Sequence, residues 1–309
     1  MMNRFAILFF VVLIAGRSFA QKQVVFTIDD VPNTRLYNAE GFRCRLLEKI
    51  DSMNLPVAIF INEQRLFYTD SFSVNLQLFN NWFKSKNVTI GNHAFSHAMY
   101  SEVGIDSFKT EILKGDAISK ELANKQHKEE KYFRFPYNDL GKDEQQHKEA
   151  ATFLKDHHYI ITPFTVHSED WLITSLYAYY KTHNMAADAA RIGHASVTKT
   201  LEYFDYIESL TDKKENRNVK QIYLMHDNLL NADYLPELVD SLKKKGYAFI
   251  TLDQAMTDSI YQQTDYFMEQ PGISWVYRWV KDKQLRETLI KNGPNTTEFE
   301  EELKRIKNK

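Results

Sequence analysis

Two adjacent aspartates, Asp29 and Asp30, close the apolar run VVFTI, and other polar groups recur at the ends of similar runs. His93 and His97 follow VTIGN, Arg134 to Tyr137 close KYFRFPY, Asp170 and Trp171 follow YIITPFTV, and His226 closes QIYLMHD. Singly, a strand-end aspartate reads as a helix cap and a histidine as an ordinary polar side chain. Together, the two carboxylates, the His-x-x-x-His pair, the arginine and the further histidine contain a metal-ligand set and a second set able to move protons. The spacing of His93 and His97 predicts one helical turn with both imidazoles pointing the same way. With Asp30 they form a two-histidine, one-carboxylate set that leaves positions for water and substrate, as a catalytic zinc site does. Ligand type alone leaves the ion open among zinc, iron, cobalt and nickel.

These groups are useful only if one scaffold brings them together. Seven apolar or β-branched runs, at 24–28, 56–62, 88–92, 131–137, 159–166, 221–227 and 247–252, alternate with amphipathic stretches. In FRCRLLEKIDSM, Phe42, Leu46, Ile50 and Met53 fall on one helical face, and YLPELVDSLKKKG ends in lysines and a glycine cap. Residues 167–220 predict two helices. The alternation predicts an α/β fold of βαβ units whose parallel sheet closes into a barrel of seven or eight strands. Catalytic groups in such folds gather at the carboxyl ends of the strands, where every residue named above lies. The 57 residues after Leu252 predict an accessory helical cap, with a Pro271-Gly272 turn and with Trp275 and Trp279 four apart on one helix face.

Composition narrows the setting. Residues 1–20 have a basic start at Arg4, an apolar run from Phe5 to Ala15 and a small-x-small site at Ser18-Phe19-Ala20, which predicts a cleavable signal peptide and a secreted or periplasmic protein. No later run is long and apolar enough for a membrane span, and none is expected once the signal is removed. Cys44 is the only cysteine, so stability rests on core packing rather than an intramolecular disulfide. A net charge of -2 with both signs interspersed argues against nucleic-acid or polybasic membrane partners. The oligomeric state has no sequence signal. Twenty-one Phe, seventeen Tyr and four Trp are mostly core, yet they also supply faces on which sugar rings stack.

TIDDVP, NHAFSH, RFPY, EDW and LMH, in that order, resemble the motifs of the polysaccharide deacetylases, the NodB-homology family also called carbohydrate esterase family 4. The resemblance implies a distorted (β/α)7–8 barrel at 21–255, with 256–309 as a C-terminal helical extension. It implies a divalent metal, usually zinc, on Asp30, His93 and His97, and an acetylated carbohydrate as substrate. It further implies Asp29 as general base, Arg134 as its orienter, the Tyr137 amide as an oxyanion donor, and His226 as general acid tuned by Asp170. Trp171 is expected either as a wall for the acetyl methyl or sugar, or as a core aromatic, and His167 as a donor to substrate.

This copy departs from the family at Ile28 and Val31 around the aspartates, at Ala94 in place of a hydroxyl residue, at His167 in place of an aspartate, and at Asn138 in place of glycine. Val31, being β-branched, requires an ordinary negative φ in the turn. None of these changes removes a proposed ligand, base or acid. Two other readings stay open: hydrolysis of a non-sugar amide on the same fold, and a carbohydrate-binding module without catalysis.

Overall fold

The computed structural model describes residues 21–69, 71–270 and 272–308. The expected signal peptide and Pro271 of the expected turn lie outside these residues. Eight strands form one parallel sheet: β1 (Lys22–Val31), β2 (Val57–Ile61), β3 (Val88–Asn92), β4 (Glu130–Phe133), β5 (Ile160–Ile161), β6 (Val166–His167), β7 (Lys220–His226) and β8 (Tyr247–Phe249). The order is β5-β4-β3-β2-β1-β7-β6, with β8 on β1. β7 pairs with β1 from Gln23 to Asp29, and β2 pairs with it from Phe26, so β8, on Lys22–Val24, extends the β2 side of β1. The result is a curled half-barrel. No ladder among the described residues joins β5 to β6.

The run expected as a single strand over 159–166 is two short strands. Pro163 interrupts it, because a residue without an N–H cannot sit in the middle of a ladder. The two helices expected within 167–220 are Asp170–Thr182 and Ala186–Glu215. The helix expected around FRCRLLEKIDSM spans Arg45–Ser52 and buries Leu46 and Ile50. Phe42 does not share its face: it precedes the helix with φ 63 and is exposed.

Alternation along β1 builds two apolar layers. Val24, Phe26 and Ile28 join the large core beneath the helices, together with Ile59, Ile61 and Tyr223. Val25 faces the other way, packing with Ala58, Phe60, Tyr132, Phe164 and Ile222 into a small apolar plug inside the curl. Arg134 lies on this plug, its guanidinium 4.2 Å from the centre of the Phe60 ring. The layers thus place an arginine floor directly below the carboxyl end of β1.

Gly91 on β3 leaves room for that plug. A Cβ there would stand 2.7 Å from Phe60 Cε1 and 3.1 Å from the Tyr132 carbonyl. Gly91→Ala is therefore expected to destabilise by about 1–3 kcal/mol through overpacking, read as a lower urea midpoint at unchanged slope. An unchanged midpoint would show that the plug has slack.

Candidate metal and acid–base site

Successive residues of a regular strand point to opposite faces, so two adjacent aspartates cannot both face one site without a local break. β1 supplies that break. Ile28 pairs with Ile59 and Val31 with Ile61, so one extra residue bulges out of β1, and Asp30 has φ 65. The left-handed residue is Asp30 itself, and Val31, absent from the positive-φ residues, returns to the ladder.

Asp29 and Asp30 then part. Asp29 Oδ1 accepts from Arg134 Nη1 at 2.8 Å, and the same Nη1 donates to Thr27 Oγ1 at 2.7 Å. Arg134 Nη2 is held by the Pro163 carbonyl at 3.1 Å. Burial lifts the Asp29 carboxyl above its usual pKa, an effect that Arg134 and His226 reduce but do not reverse. Arg134 thus favours the ionised carboxylate, while burial sets the net direction. Asp30 goes the other way. Burial opposes its charge, but His97 and Arg65 outweigh burial and bring it down to about 2. Arg65 Nη2 sits 2.6 Å from Asp30 Oδ2.

The other oxygen, Asp30 Oδ1, is buried and has no hydrogen-bond partner. His97 Nε2 is 3.5 Å away, and the ligand atoms of Asp30, His93 and His97 all lie within 4.8 Å of one another. His93 Nδ1 donates to the Arg134 carbonyl at 2.7 Å, which leaves Nε2 as the lone-pair nitrogen. Burial pushes both imidazoles down to about 4, so they are neutral at pH 7. An orphaned carboxylate oxygen facing two neutral imidazole nitrogens fits a divalent cation.

The two histidines converge differently from the helical turn expected of their spacing. Residues 93–99 contain no helix, and Ala94 and His97 have φ 60 and 64. Local and distant hydrogen bonds hold this loop: Asn62 Nδ2 donates to the carbonyls of His93 and Ala94, Asn92 Oδ1 accepts from Ala94 N, and Glu111 Oε2 accepts from the amide and hydroxyl of Ser96. These side chains steady the loop at Ala94, which has no hydroxyl of its own.

On the neighbouring strand, His226 pairs in register with Asp29. Its Nδ1 donates to Asp170 Oδ1 at 2.7 Å. Asp170 Oδ2 accepts from the His226 amide, Asn228 Nδ2 and Asn231 Nδ2 at 2.8, 2.9 and 2.5 Å. Burial disfavours the charged imidazole, but Asp170 and the other carboxylates outweigh it and raise His226 to about 9. The Tyr137 ring packs against His97 with centroids 4.4 Å apart, and Tyr137 and Asn138 are both left-handed, at φ 56 and 51. His167 Nδ1 lies 3.5 Å from Glu169 Oε1, and burial lowers its pKa. Trp171 is 57% exposed, with Nε1 donating to Glu169 Oε2 at 2.8 Å, so it is not a core aromatic.

Arg65, Asn62, Asn228 and Asn231 belong to the site although no motif marks them, and Thr27 and Glu169 belong to it although their motifs assign them no role. Position was the available signal, since Asn62 and Arg65 follow the carboxyl end of β2 as the histidines follow β3. Six residues here, Asp30, Ala94, His97, Tyr137, Asn138 and Glu169, have positive φ without being glycine. Each costs roughly 1–3 kcal/mol, which the surrounding structure must offset.

Residues 16–160 match the family model described as polysaccharide deacetylase. That span holds Asp29, Asp30, His93, His97, Arg134 and Tyr137, while Asp170 and His226 lie beyond it. A search of curated proteins finds no match. Among solved structures, the CE4 family pseudoenzyme from Bacillus anthracis is 15% identical with a TM-score of 0.51, over 76% of this chain and 66% of that chain. A mutant of it gives 15% and 0.52 over 76% and 67%, and a mutant with restored enzymatic activity gives 16% and 0.51 over 76% and 68%. At these identities the likeness shows the fold.

The Asp170–His226 pair can be tested in the unliganded protein. His226 is raised from 6.5 to about 9, so its contribution to stability is complete below pH 6.5 and is lost as pH rises through about 9. Asp170→Asn is expected to lower the His226 titration midpoint by at least about one unit in NMR and to flatten this alkaline loss. An unmoved midpoint would show that Asp170 does not govern the imidazole.

Proposed function

We propose that this chain, which carries a divergent polysaccharide deacetylase domain, is a metal-dependent hydrolase that removes acetyl groups from an acetylated carbohydrate, N- or O-linked. The observation that carries the reading is the division of labour between adjacent carboxylates. Asp30 turns an unpartnered oxygen toward two neutral histidines, while Asp29, one residue away, is bound to a buried arginine. A carbohydrate-binding module needs no such division, and neither does a structural zinc site.

Asp30, His93 and His97 would hold the ion, with zinc first among those the ligand types accept. When bound, such an ion acidifies water and polarises the acetyl carbonyl. Asp29 takes the proton of the attacking water, and its raised pKa makes it a stronger base than an ordinary aspartate. Arg134 fixes the direction in which Asp29 accepts. The Tyr137 amide is a donor to the developing oxyanion. His226, protonated at neutral pH and held by Asp170, delivers a proton to the departing sugar amine or alkoxide. Trp171 offers a ring face to sugar, and His167 donates to substrate from the same rim. Residues 1–20 support export, placing the reaction in a secreted or periplasmic setting. No described helix is long and apolar enough to cross a membrane.

Asp29→Asn is expected to lower acetate release from the preferred substrate, among chitooligosaccharides, peptidoglycan fragments and acetylated xylan, by on the order of 10²–10⁴-fold. Zinc stoichiometry by elemental analysis should stay at the wild-type value. Turnover that survives this change would remove Asp29 from the role of base. A chelator should abolish acetate release from the wild type and added zinc restore it, and activity indifferent to chelation would exclude metal dependence.

A further inference from the structure

The loop that carries the Tyr137 amide is left-handed at two successive residues, and the second, Asn138, stands where the family has glycine. Such a conformation needs an outside hold: the Tyr137 ring packs on His97, and, among the described residues, the hydrogen bonds that reach Tyr137 and Asn138 from outside the loop come from one segment about 135 residues later. Gly272 N donates to the Tyr137 carbonyl at 3.2 Å. Arg278 Nη1 donates to the Asn138 carbonyl at 3.2 Å, and Trp275 Nε1 to Asn138 Oδ1 at 3.1 Å. Asn138 Nδ2 donates in return to the Ile273 carbonyl at 2.6 Å. The approach is so close that a Cβ at Gly272 would stand 2.3 Å from the Asn138 carbonyl oxygen. Asparagine suits this place because it tolerates the left-handed region and brings a donor and an acceptor, both of which are used.

The segment is itself anchored. Arg278, 1% exposed, binds both Asp265 oxygens and the Phe267 carbonyl, and its guanidinium lies 5.1 Å and 5.2 Å from the ring centres of Trp275 and Phe267. Ser274 Oγ donates to the Thr165 carbonyl at 2.6 Å, and Trp275 N to the Phe164 carbonyl at 3.0 Å. Those acceptors adjoin Pro163, whose carbonyl holds Arg134. The segment thus ties the Tyr137 loop to the connection that also supports the partner of Asp29.

We propose that residues 265–270 and 272–279 are a positioning device for the Tyr137 amide, with Asn138, Trp275 and Arg278 as positioning residues. The role rests on the deacetylase reading, in which that amide meets the oxyanion. Among the described residues, Asn138, Trp275 and Arg278 make no hydrogen bond or ring contact with Asp30, His93 or His97, so in this role they act on the rate of the chemical step rather than on ion binding.

Trp275→Phe keeps a ring in place and removes only the Nε1 donor. On the best of the three acetylated substrates, kcat is expected to fall on the order of 10- to 100-fold while KM stays within about twofold, with zinc stoichiometry unchanged. In an Asn138→Gly background the acceptor is already gone, so Trp275→Phe should add little, a non-additivity that general destabilisation does not produce. Amide exchange of residues 134–139 should accelerate in Trp275→Phe, whatever the activity. Unchanged kcat in an active enzyme, additive losses, or unchanged exchange would each overturn the proposal. A wild type that releases no acetate would overturn the deacetylase reading alone, with the exchange measurement still deciding whether the segment holds the loop.

Discussion

Burying two carboxylates next to each other is the constraint on which the site depends. Two like charges at one strand end raise each other's pKa, and burial adds to the effect, so each needs its own compensation. β1 separates them with a one-residue bulge, and the left-handed Asp30 turns away from Asp29. Arg134 serves the first, while Arg65 and the two histidines serve the second. The outcome is a split pair, one carboxyl raised and the other lowered to about 2. An acid–base group and an ion ligand can then be neighbours without sharing a proton.

The rest of the scaffold serves this separation. The apolar plug around Phe60 and Phe164 gives Arg134 a dry seat, where its pairing with Asp29 is stronger than at a surface. Parallel register places His226 beside Asp29, and Asp170, at the head of the helix that follows β6, collects that imidazole and three further donors. Left-handed residues cluster in the loops at the carboxyl ends of the strands, and most are locked by bonds from distant parts of the chain. Strain of this kind persists only where surrounding contacts over-determine it.

How much of this was legible in the sequence follows from the range of the interactions. The strands were legible because each is a short apolar run, and the site residues because they sit just past the ends of those runs. The break at Pro163 was readable in principle from its missing N–H. Phe42 was misplaced because periodicity takes no account of a left-handed residue before a helix begins. His93 and His97 meet through a strained loop, and four-residue spacing alone does not distinguish that from a helical turn. The supports were least legible: Asn62 on the histidine loop, Asn231 on Asp170, and Trp275 and Arg278 on Asn138 act across 30 to 140 residues with no periodic mark.

The central claim is that the two aspartates do different work, and it is tested most directly by where an ion goes. Crystals of the protein soaked with zinc, with anomalous differences recorded at the zinc edge, should show one peak contacted by Asp30 Oδ1, His93 Nε2 and His97 Nε2. Asp29 should remain on Arg134, outside the coordination sphere. An ion bridging Asp29 and Asp30, or a peak displaced from the histidines, would contradict the account.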